Sequence, residues 1–177
     1  MKSNELAVNG GKPLIEKEFK RYNPLGKEEI AAVNKVMESG VLSDFYGTKG
    51  DFFLGGKNVK EFEQNICDFY SVKYAVTFNS WTSGLIAAVG ALELSPGDEV
   101  IVPTWTMCAT ATAVLHWNAI PIFADIEKDT FCIDPSSIEK NLSEKTKAII
   151  AVDIAGQSAN MDAIIKIANR YSLKVIS

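Results

Sequence analysis

Residues 95–126 read SPGDEVIVPTWTMCATATAVLHWNAIPIFADI, and this stretch decides the fold class. Residues 95–98 are typical of a turn, and the apolar run at 99–102 predicts a strand. A short helix near 109–117 and a second strand at 120–124 are predicted to follow. Parallel neighbours need a long crossover connection, which is usually a helix. The stretch therefore predicts two parallel strands joined by a helix.

The same alternation continues on both sides of this unit. The further predicted elements are strands at 74–78, 148–152 and 173–176 and helices at 82–94 and 161–171. The predicted strands are short and apolar throughout, which is typical of a parallel sheet buried on both faces. We predict an α/β fold with three layers, α/β/α, built around a mainly parallel sheet.

Several helix ends and helix faces follow from single residues. Asp134 is predicted to cap a helix that begins at Pro135. Gly40 is predicted to end the first helix in a left-handed conformation. The apolar stripes predicted to face the core are Val59, Phe62, Ile66 and Phe69 in the second helix and Ile164, Ile165 and Ala168 in the last.

Two stretches near the N-terminus lack a regular pattern. Residues 1–25 are expected to form an irregular N-terminal segment, followed by one domain over residues 26–177. Within that domain, residues 40–57 alternate glycines with the aromatic residues Phe45, Tyr46, Phe52 and Phe53. Such a loop is expected either to pack on a partner, a ligand or another subunit, or to fold on its own domain.

Composition excludes several function classes. The net charge is −4 and no arginine-rich run occurs, so we expect no nucleic-acid partner. No apolar run is long enough for a membrane span. The three cysteines form no close pair, which fits a reduced, cytoplasmic setting. His116 is the single histidine, which argues against a metal site built from several histidines.

Candidate chemistry lies where the predicted strands end. The turn with Ser80, Trp81, Thr82 and Ser83 precedes a helix, and free N–H groups at a helix start can bind a phosphate. Plain N-capping by Ser80 or Thr82 explains the same residues without a ligand.

Two further strand ends offer candidates at the same edge of the sheet. Trp105 and Met107 follow the strand at 99–102, where they could stack on a flat ring or fill the core of their own loop. Asp153 follows the strand at 148–152, where it could orient a ligand or cap the next helix.

Seven short segments occur in the order found in one enzyme family. Residues 80–85, SWTSGL, are similar to Ser-Gly-Thr-x-Ala-Leu, and residues 96–101, PGDEVI, are identical to Pro-Gly-Asp-Glu-Val-Ile. Residues 103–110 resemble Pro-x-x-Thr-Phe-x-Ala-Thr. The other four segments are 55–63, 121–126, 133–135 and 146–150. From about Gly26 to the end, the chain resembles the DegT/DnrJ/EryC1/StrS family of sugar aminotransferases, which depend on pyridoxal phosphate.

The resemblance implies a fold, a cofactor and a reaction. The fold would be that of the large domain of fold type I transferases, the aspartate-aminotransferase type. Thr82, with the backbone around Trp81 and Ser83, would bind the cofactor phosphate, and Met107 would lie against the pyridine ring. Glutamate would give its amino group to a nucleotide-linked keto-sugar or a keto-cyclitol. Family members are homodimers, and residues 45–56 are our candidate for the segment that reaches the other subunit.

Departures from the family pattern fall on these same residues. Trp81 replaces a glycine, Met107 an aromatic residue, Asp153 a common histidine and Asn160 a common aspartate. Trp81 is therefore expected either to point away from the phosphate or to narrow the pocket. With Met107 in place of the aromatic, Trp105 is a second candidate for the ring contact.

Two residues that the family uses for catalysis have no counterpart here. They are an aspartate that contacts the pyridine nitrogen and the Schiff-base lysine, and both are expected beyond residue 177. We therefore assign no catalytic residue, expect the sequence to continue past Ser177, and expect residues 1–177 alone to be inactive. The alternatives are a catalytically inactive binding or interaction domain, and a sugar dehydratase of the same family that also uses pyridoxal phosphate.

Overall fold

The computed structural model describes residues 6–177 as two compact units, one ending at Phe62 and one over Glu63–Ser177. The first five residues of the expected irregular segment lie outside the described residues. The first unit contains a short 3-10 helix at Ala7–Asn9, helix α1 at Lys27–Ser39 and the start of helix α2 at Lys57–Tyr70. Gly40 ends α1 with a φ of 67°, as predicted.

The glycine–aromatic loop between α1 and α2 packs partly on itself. The ring of Phe45 lies against Gly55, where a Cβ would be only 2.7 Å from its Cζ atom. Tyr46 and Phe52 meet edge to face with centroids 5.6 Å apart. Each of the four aromatic side chains nevertheless keeps about half of its surface exposed.

The second unit is built on a four-stranded sheet that is parallel throughout. The strands are β1 at Glu99–Pro103, β2 at Ile120–Ala124, β3 at Thr146–Ile150 and β4 at Lys174–Ile176. Their order is β2-β1-β3-β4, and each neighbouring pair is parallel. The helices are α3 at Trp81–Gly90, α4 at Cys108–Leu115, α5 at Pro135–Lys140 and α6 at Met161–Tyr171. The predicted α/β fold is confirmed.

The strands separate two hydrophobic cores. Alternate residues of β1 point to opposite faces, so Ile101 packs with α5 and α6 while Val100 and Val102 pack with α3 and α4. In β3, Ile149 and Ile150 divide in the same way. Helices therefore cover both faces of the sheet, which is the predicted three-layer arrangement.

Three sequence-based predictions about elements and packing were wrong. Residues 74–78 form no strand, because the described residues place no strand beside them, and Tyr74 and Val76 are exposed. The apolar stripe of α2 is not core, since none of its residues is buried and Phe69 is 80% exposed. In α6 the inward residues are Ile164, Ile167 and Ala168, whereas Ile165 is exposed.

Smaller shifts occur at element ends. The third strand begins and ends two residues earlier than predicted, and α3 ends at Gly90 rather than at residue 94. Asp134 caps α5 through the Ser136 N–H, as predicted. In the part of the chain that the structure describes, no helix is both long and apolar enough to cross a membrane.

Candidate functional site

The sheet topology defines one crevice. From β1 the chain passes through α4 to β2 on one side, and from β3 it passes through α6 to β4 on the other side. The direction of winding therefore reverses between β1 and β3. In open α/β sheets, ligands bind outside the carboxyl ends of the strands at such a switch point. The topology thus predicts a site where β1 and β3 end.

A cavity of about 320 Å³ opens at this switch point. It is lined from the start of α3, the segment after β1, the end of β3 with its following loop, and the end of β4. Its lining is mostly apolar, with Thr106, Thr110, Asp153 and Ser177 as the polar side chains. The remaining lining residues are Trp81, Leu85, Met107, Ala109, Ile150, Ala151, Val152, Ile154 and Ile176.

The turn before α3 carries hydrogen-bond donors, and one of its residues, Trp81, lines the cavity. Ser80 is the N-cap, and its Oγ accepts a hydrogen bond of 3.2 Å from the Ser83 N–H. The backbone N–H groups of Trp81 and Thr82 find no acceptor among the described residues. Free N–H groups at a helix start favour an anion, because they carry the positive end of the helix dipole. The N-cap and the free donors therefore coexist in this turn.

Of the four residues in this turn, Trp81 is the one that also lines the cavity. Its side chain is 71% exposed, and its ring lies over Gly84. A Cβ on Gly84 would lie 3.2 Å from Cε3 of Trp81, closer than most real contacts. Trp81 lines the cavity, and the expectation that its side chain points away from the phosphate or narrows the pocket stays a prediction. Ser80, Thr82 and Ser83 do not line the cavity.

The two candidates for the ring contact in the segment after β1 lie in different surroundings. Met107 lines the cavity, but Trp105 does not. The ring of Trp105 faces Phe131 instead, with centroids 6.1 Å apart. Thr106 and Thr110 also line the cavity, and their hydroxyl oxygens are 2.7 Å apart. Sequence reasoning did not single out this pair, although their four-residue spacing at a helix start could have indicated it.

Asp153 lies on the other side of the switch point. Its Oδ1 atom accepts a hydrogen bond of 2.8 Å from the Ala159 N–H, which closes the loop between β3 and α6. It does not cap α6, because the side chain of Asn160 does so by accepting from the Ala163 N–H. The loop turns at Ala155 and Gly156, both of which have positive φ.

No lysine lines this cavity in the described part of the chain. Lys147 lies near the start of β3 and Lys174 is the first residue of β4. The cavity lies at the opposite, carboxyl edge of the sheet. The candidate site therefore offers backbone donors, an apolar lining and one carboxylate, but no amine.

The sequence profile of the DegT/DnrJ/EryC1/StrS aminotransferase family matches residues 24–177. The chain belongs to this family. The match confirms the resemblance inferred from the seven short segments and covers all of the residues that line the cavity.

Three proteins of known sequence illustrate what the chain is similar to. Spore coat polysaccharide biosynthesis protein SpsC of Bacillus subtilis (strain 168) is 40% identical over 152 residues, which are 86% of this chain and 36% of that protein. The 3-oxo-glucose-6-phosphate:glutamate aminotransferase of the same organism is 33% identical, over 89% of this chain and 37% of that protein. The L-glutamine:2-deoxy-scyllo-inosose aminotransferase of Streptomyces fradiae is 32% identical, over 97% of this chain and 39% of that protein.

Two solved structures share the fold. An aminotransferase from Psychrobacter cryohalolentis has a TM-score of 0.78 at 31% identity, over 89% of this chain and 38% of that one. NtdA from Bacillus subtilis, solved with bound cofactor PMP, has a TM-score of 0.75 at 31% identity, over 90% of this chain and 37% of that one. These likenesses confirm the predicted fold of the large domain of fold type I transferases. The chain spans less than two fifths of the length of these relatives.

Proposed function

We propose that this chain belongs to an aminotransferase that uses pyridoxal phosphate. The enzyme would move an amino group from glutamate to a keto-sugar linked to a nucleotide, or to a keto-cyclitol. The observation that carries the proposal is the cavity at the switch point between β1 and β3, which is lined by Trp81 at the start of α3, a helix start whose N–H groups at Trp81 and Thr82 find no acceptor among the described residues. In a member of this aminotransferase family, such a cavity is the expected place for the cofactor.

The residues present fit a cofactor with a phosphate and a flat ring. The N–H groups of Trp81 and Thr82 can donate to the phosphate, and the hydroxyl of Thr82 is available beside them. The apolar lining, with Met107 among it, can cover the ring and exclude water from it. Among the described residues, the buried polar side chains are those of Thr110, Ser137 and Thr146, and all three are uncharged. No buried charge in this part of the chain therefore opposes binding of the cofactor.

Each part of the site has a separate task in this proposal. Pyridoxal phosphate, when bound, supplies the electron sink that amino transfer needs. The start of α3 holds the phosphate through the N–H groups of Trp81 and Thr82 and the hydroxyl of Thr82, and so fixes the position of the ring, while Ser80 and Ser83 shape this turn by bonding to each other. Asp153 fixes the loop that closes one side of the cavity through the Ala159 N–H. None of these residues is proposed to move a proton.

Domain organisation and setting complete the proposal. We propose residues 26–177 as part of the cofactor-binding large domain, preceded by an irregular segment at 1–25. A cytoplasmic location is supported by the three free cysteines. A homodimer is supported by the half-exposed aromatic residues of the loop at 45–56. Sedimentation of the full-length protein as a monomer would contradict the dimer.

The substrates are the finer part of the proposal. The names of two relatives specify a glutamate donor with a sugar phosphate and a glutamine donor with a scyllo-inosose. The nucleotide-linked acceptor is supported only by the overall resemblance to this family of sugar aminotransferases, since neither of these two names includes a nucleotide. The test offers the full-length protein glutamate labelled at its amino nitrogen, with nucleotide-linked keto-sugars, keto-sugar phosphates and keto-inositols as separate acceptors. Unlabelled glutamine is run in parallel as a competing donor.

Labelled nitrogen in an amino-sugar or amino-cyclitol product would support the transferase. Cofactor binding with no product from any acceptor would contradict it and would leave an inactive binding domain. Loss of water from the sugar, with no labelled nitrogen in the product, would indicate the dehydratase. Residues 1–177 alone are proposed to form no covalent cofactor adduct, because no lysine lines the cavity. An adduct on one defined lysine after borohydride reduction would contradict that statement.

A further inference from the structure

Among the described residues that line the cavity, Trp81 is the one aromatic residue. It is the first residue of α3, and its backbone N–H finds no acceptor among the described residues. The residue is 71% exposed and belongs to the mostly apolar lining. One residue thus offers a donor for an anion and a large flat surface for a ring. A ligand that carries both groups would use both parts of it.

The indole lies against a neighbouring glycine, which leaves room for it. The ring atoms Cε3 and Cζ3 of Trp81 lie 3.2 and 3.4 Å from the place of a Cβ on Gly84, and Cδ2 of Phe78 lies 3.5 Å from it. An alanine methyl at residue 84 would therefore press on the indole. The family pattern has glycine and alanine at residues 81 and 84, and this chain has tryptophan and glycine. These two differences from the family pattern belong together, because glycine at residue 84 makes room for the indole of Trp81.

The segment after β1 offers no aromatic wall of its own. Met107 reaches the cavity with a flexible thioether, and the nearby Trp105 is turned to Phe131. A flat ring in this cavity therefore finds its aromatic neighbour on α3 and not on the β1 side. Methionine can adapt to either face of such a ring.

We propose that the indole of Trp81 covers the flat ring of the cofactor and so positions it against Met107. This inference rests on the proposed function, because it takes the cofactor to be a phosphate-bearing pyridine. It assigns to α3 both the phosphate contact and the ring contact. Gly84 then serves as the residue that leaves room for the indole.

The first test is oxidative footprinting of the full-length protein with and without pyridoxamine phosphate, read by mass spectrometry at each tryptophan. Pyridoxamine phosphate carries the ring and the phosphate but forms no bond with a lysine. Trp105 is the internal control, since it is 58% exposed and does not line the cavity. We expect oxidation of Trp81 to slow severalfold with ligand and oxidation of Trp105 to stay unchanged.

The second test measures the Kd of pyridoxamine phosphate by calorimetry for Trp81→Ala, Trp81→Phe and Trp105→Ala. Loss of the indole is expected to weaken binding about three- to tenfold, whereas Trp81→Phe and Trp105→Ala stay within twofold of wild type. Ligand binding that leaves Trp81 oxidation and the Trp81→Ala affinity unchanged would overturn this inference and leave the proposed function standing. Absence of any binding by the wild-type protein would overturn both.

Discussion

The indole of Trp117 occupies the space that a side chain at Gly90 would need. A Cβ at Gly90 would lie 2.3 Å from Cζ2 of Trp117, and Nε1 of Trp117 donates a hydrogen bond of 2.7 Å to the carbonyl of Ile86. Trp117 follows α4, whereas Gly90 and Ile86 belong to α3. This contact therefore fixes how the two helices on one face of the sheet lie together, and α3 is the helix whose first turn borders the cavity.

Gly90→Ala is accordingly expected to destabilise the protein by about 1–3 kcal/mol. Overpacking and loss of the Trp117 hydrogen bond outweigh the gain of about 1 kcal/mol that alanine brings to a helix. Urea unfolding checks this value. Gly47→Ala is the control, since nothing lies within 4 Å of the place of its Cβ. A Gly90→Ala protein as stable as wild type would contradict the contact.

The phosphate role of the α3 start can be separated from its capping role at Ser80. Ser80→Asn and Ser80→Asp both keep an N-cap acceptor for the Ser83 N–H, so both are expected to fold with near wild-type stability. Aspartate adds a negative charge where we place the phosphate. We expect pyridoxamine phosphate to bind Ser80→Asp about tenfold or more weakly, and Ser80→Asn nearly as well as wild type.

Pyridoxamine without its phosphate provides the matched ligand for this experiment. Its affinity is expected to be equal in the two Ser80 variants, because it lacks the group that the new carboxylate repels. If Ser80→Asp bound both ligands as well as Ser80→Asn does, the phosphate would not lie at this turn.

Much of the second unit could be predicted from local sequence. Strand β2 and helix α6 have the predicted bounds, because a short apolar run or a capped periodic stretch contains the information for its own element. The common edge of Met107 and Asp153 could also be predicted, since they follow β1 and β3 and parallel strands bring their carboxyl ends together.

What could not be predicted depends on contacts between distant residues. Residues 74–78 have the composition of a strand, but a strand forms only beside a partner, and local sequence does not say whether one is present. The direction of Trp105 depends on Phe131, which lies 26 residues further along the chain. The place of the Trp81 ring depends on the absence of a side chain at Gly84, which a motif comparison treats as an unrelated difference.

The N-cap of α5, Asp134, is expected to make the stability of the protein depend on pH. Hydrogen bonds from Ser136 hold the pKa of Asp134 below its ordinary value of 3.8. The folded protein thus favours the charged form, so this contribution is present above about pH 4 and is lost as the pH falls through the lowered pKa. Asp134→Ala is expected to cost about 1 kcal/mol at pH 7 and less at pH 3. Asp134→Asn, an uncharged cap, separates the two effects, since its stability relative to Asp134→Ala is expected to be the same at both pH values.

Asp153 provides the last prediction, which concerns the loop at the cavity rather than the fold. Its Oδ1 atom accepts the Ala159 N–H at 2.8 Å, and this bond holds the turn through Ala155 and Gly156 closed. Asp153→Ala removes the acceptor, so hydrogen exchange at the Ala159 amide is expected to speed up about fivefold or more, which corresponds to a hydrogen bond of about 1 kcal/mol. Asp153→Asn keeps a carbonyl oxygen in the same place and is expected to retain most of the protection.

Because Asp153 also lines the cavity, the same two variants report on ligand binding. An open loop in Asp153→Ala should weaken pyridoxamine phosphate binding, whereas Asp153→Asn should bind it nearly as wild type does. Equal loss of affinity in both variants, with the Ala159 amide still protected in Asp153→Asn, would mean that the ligand needs the charge of Asp153 and not the closed loop.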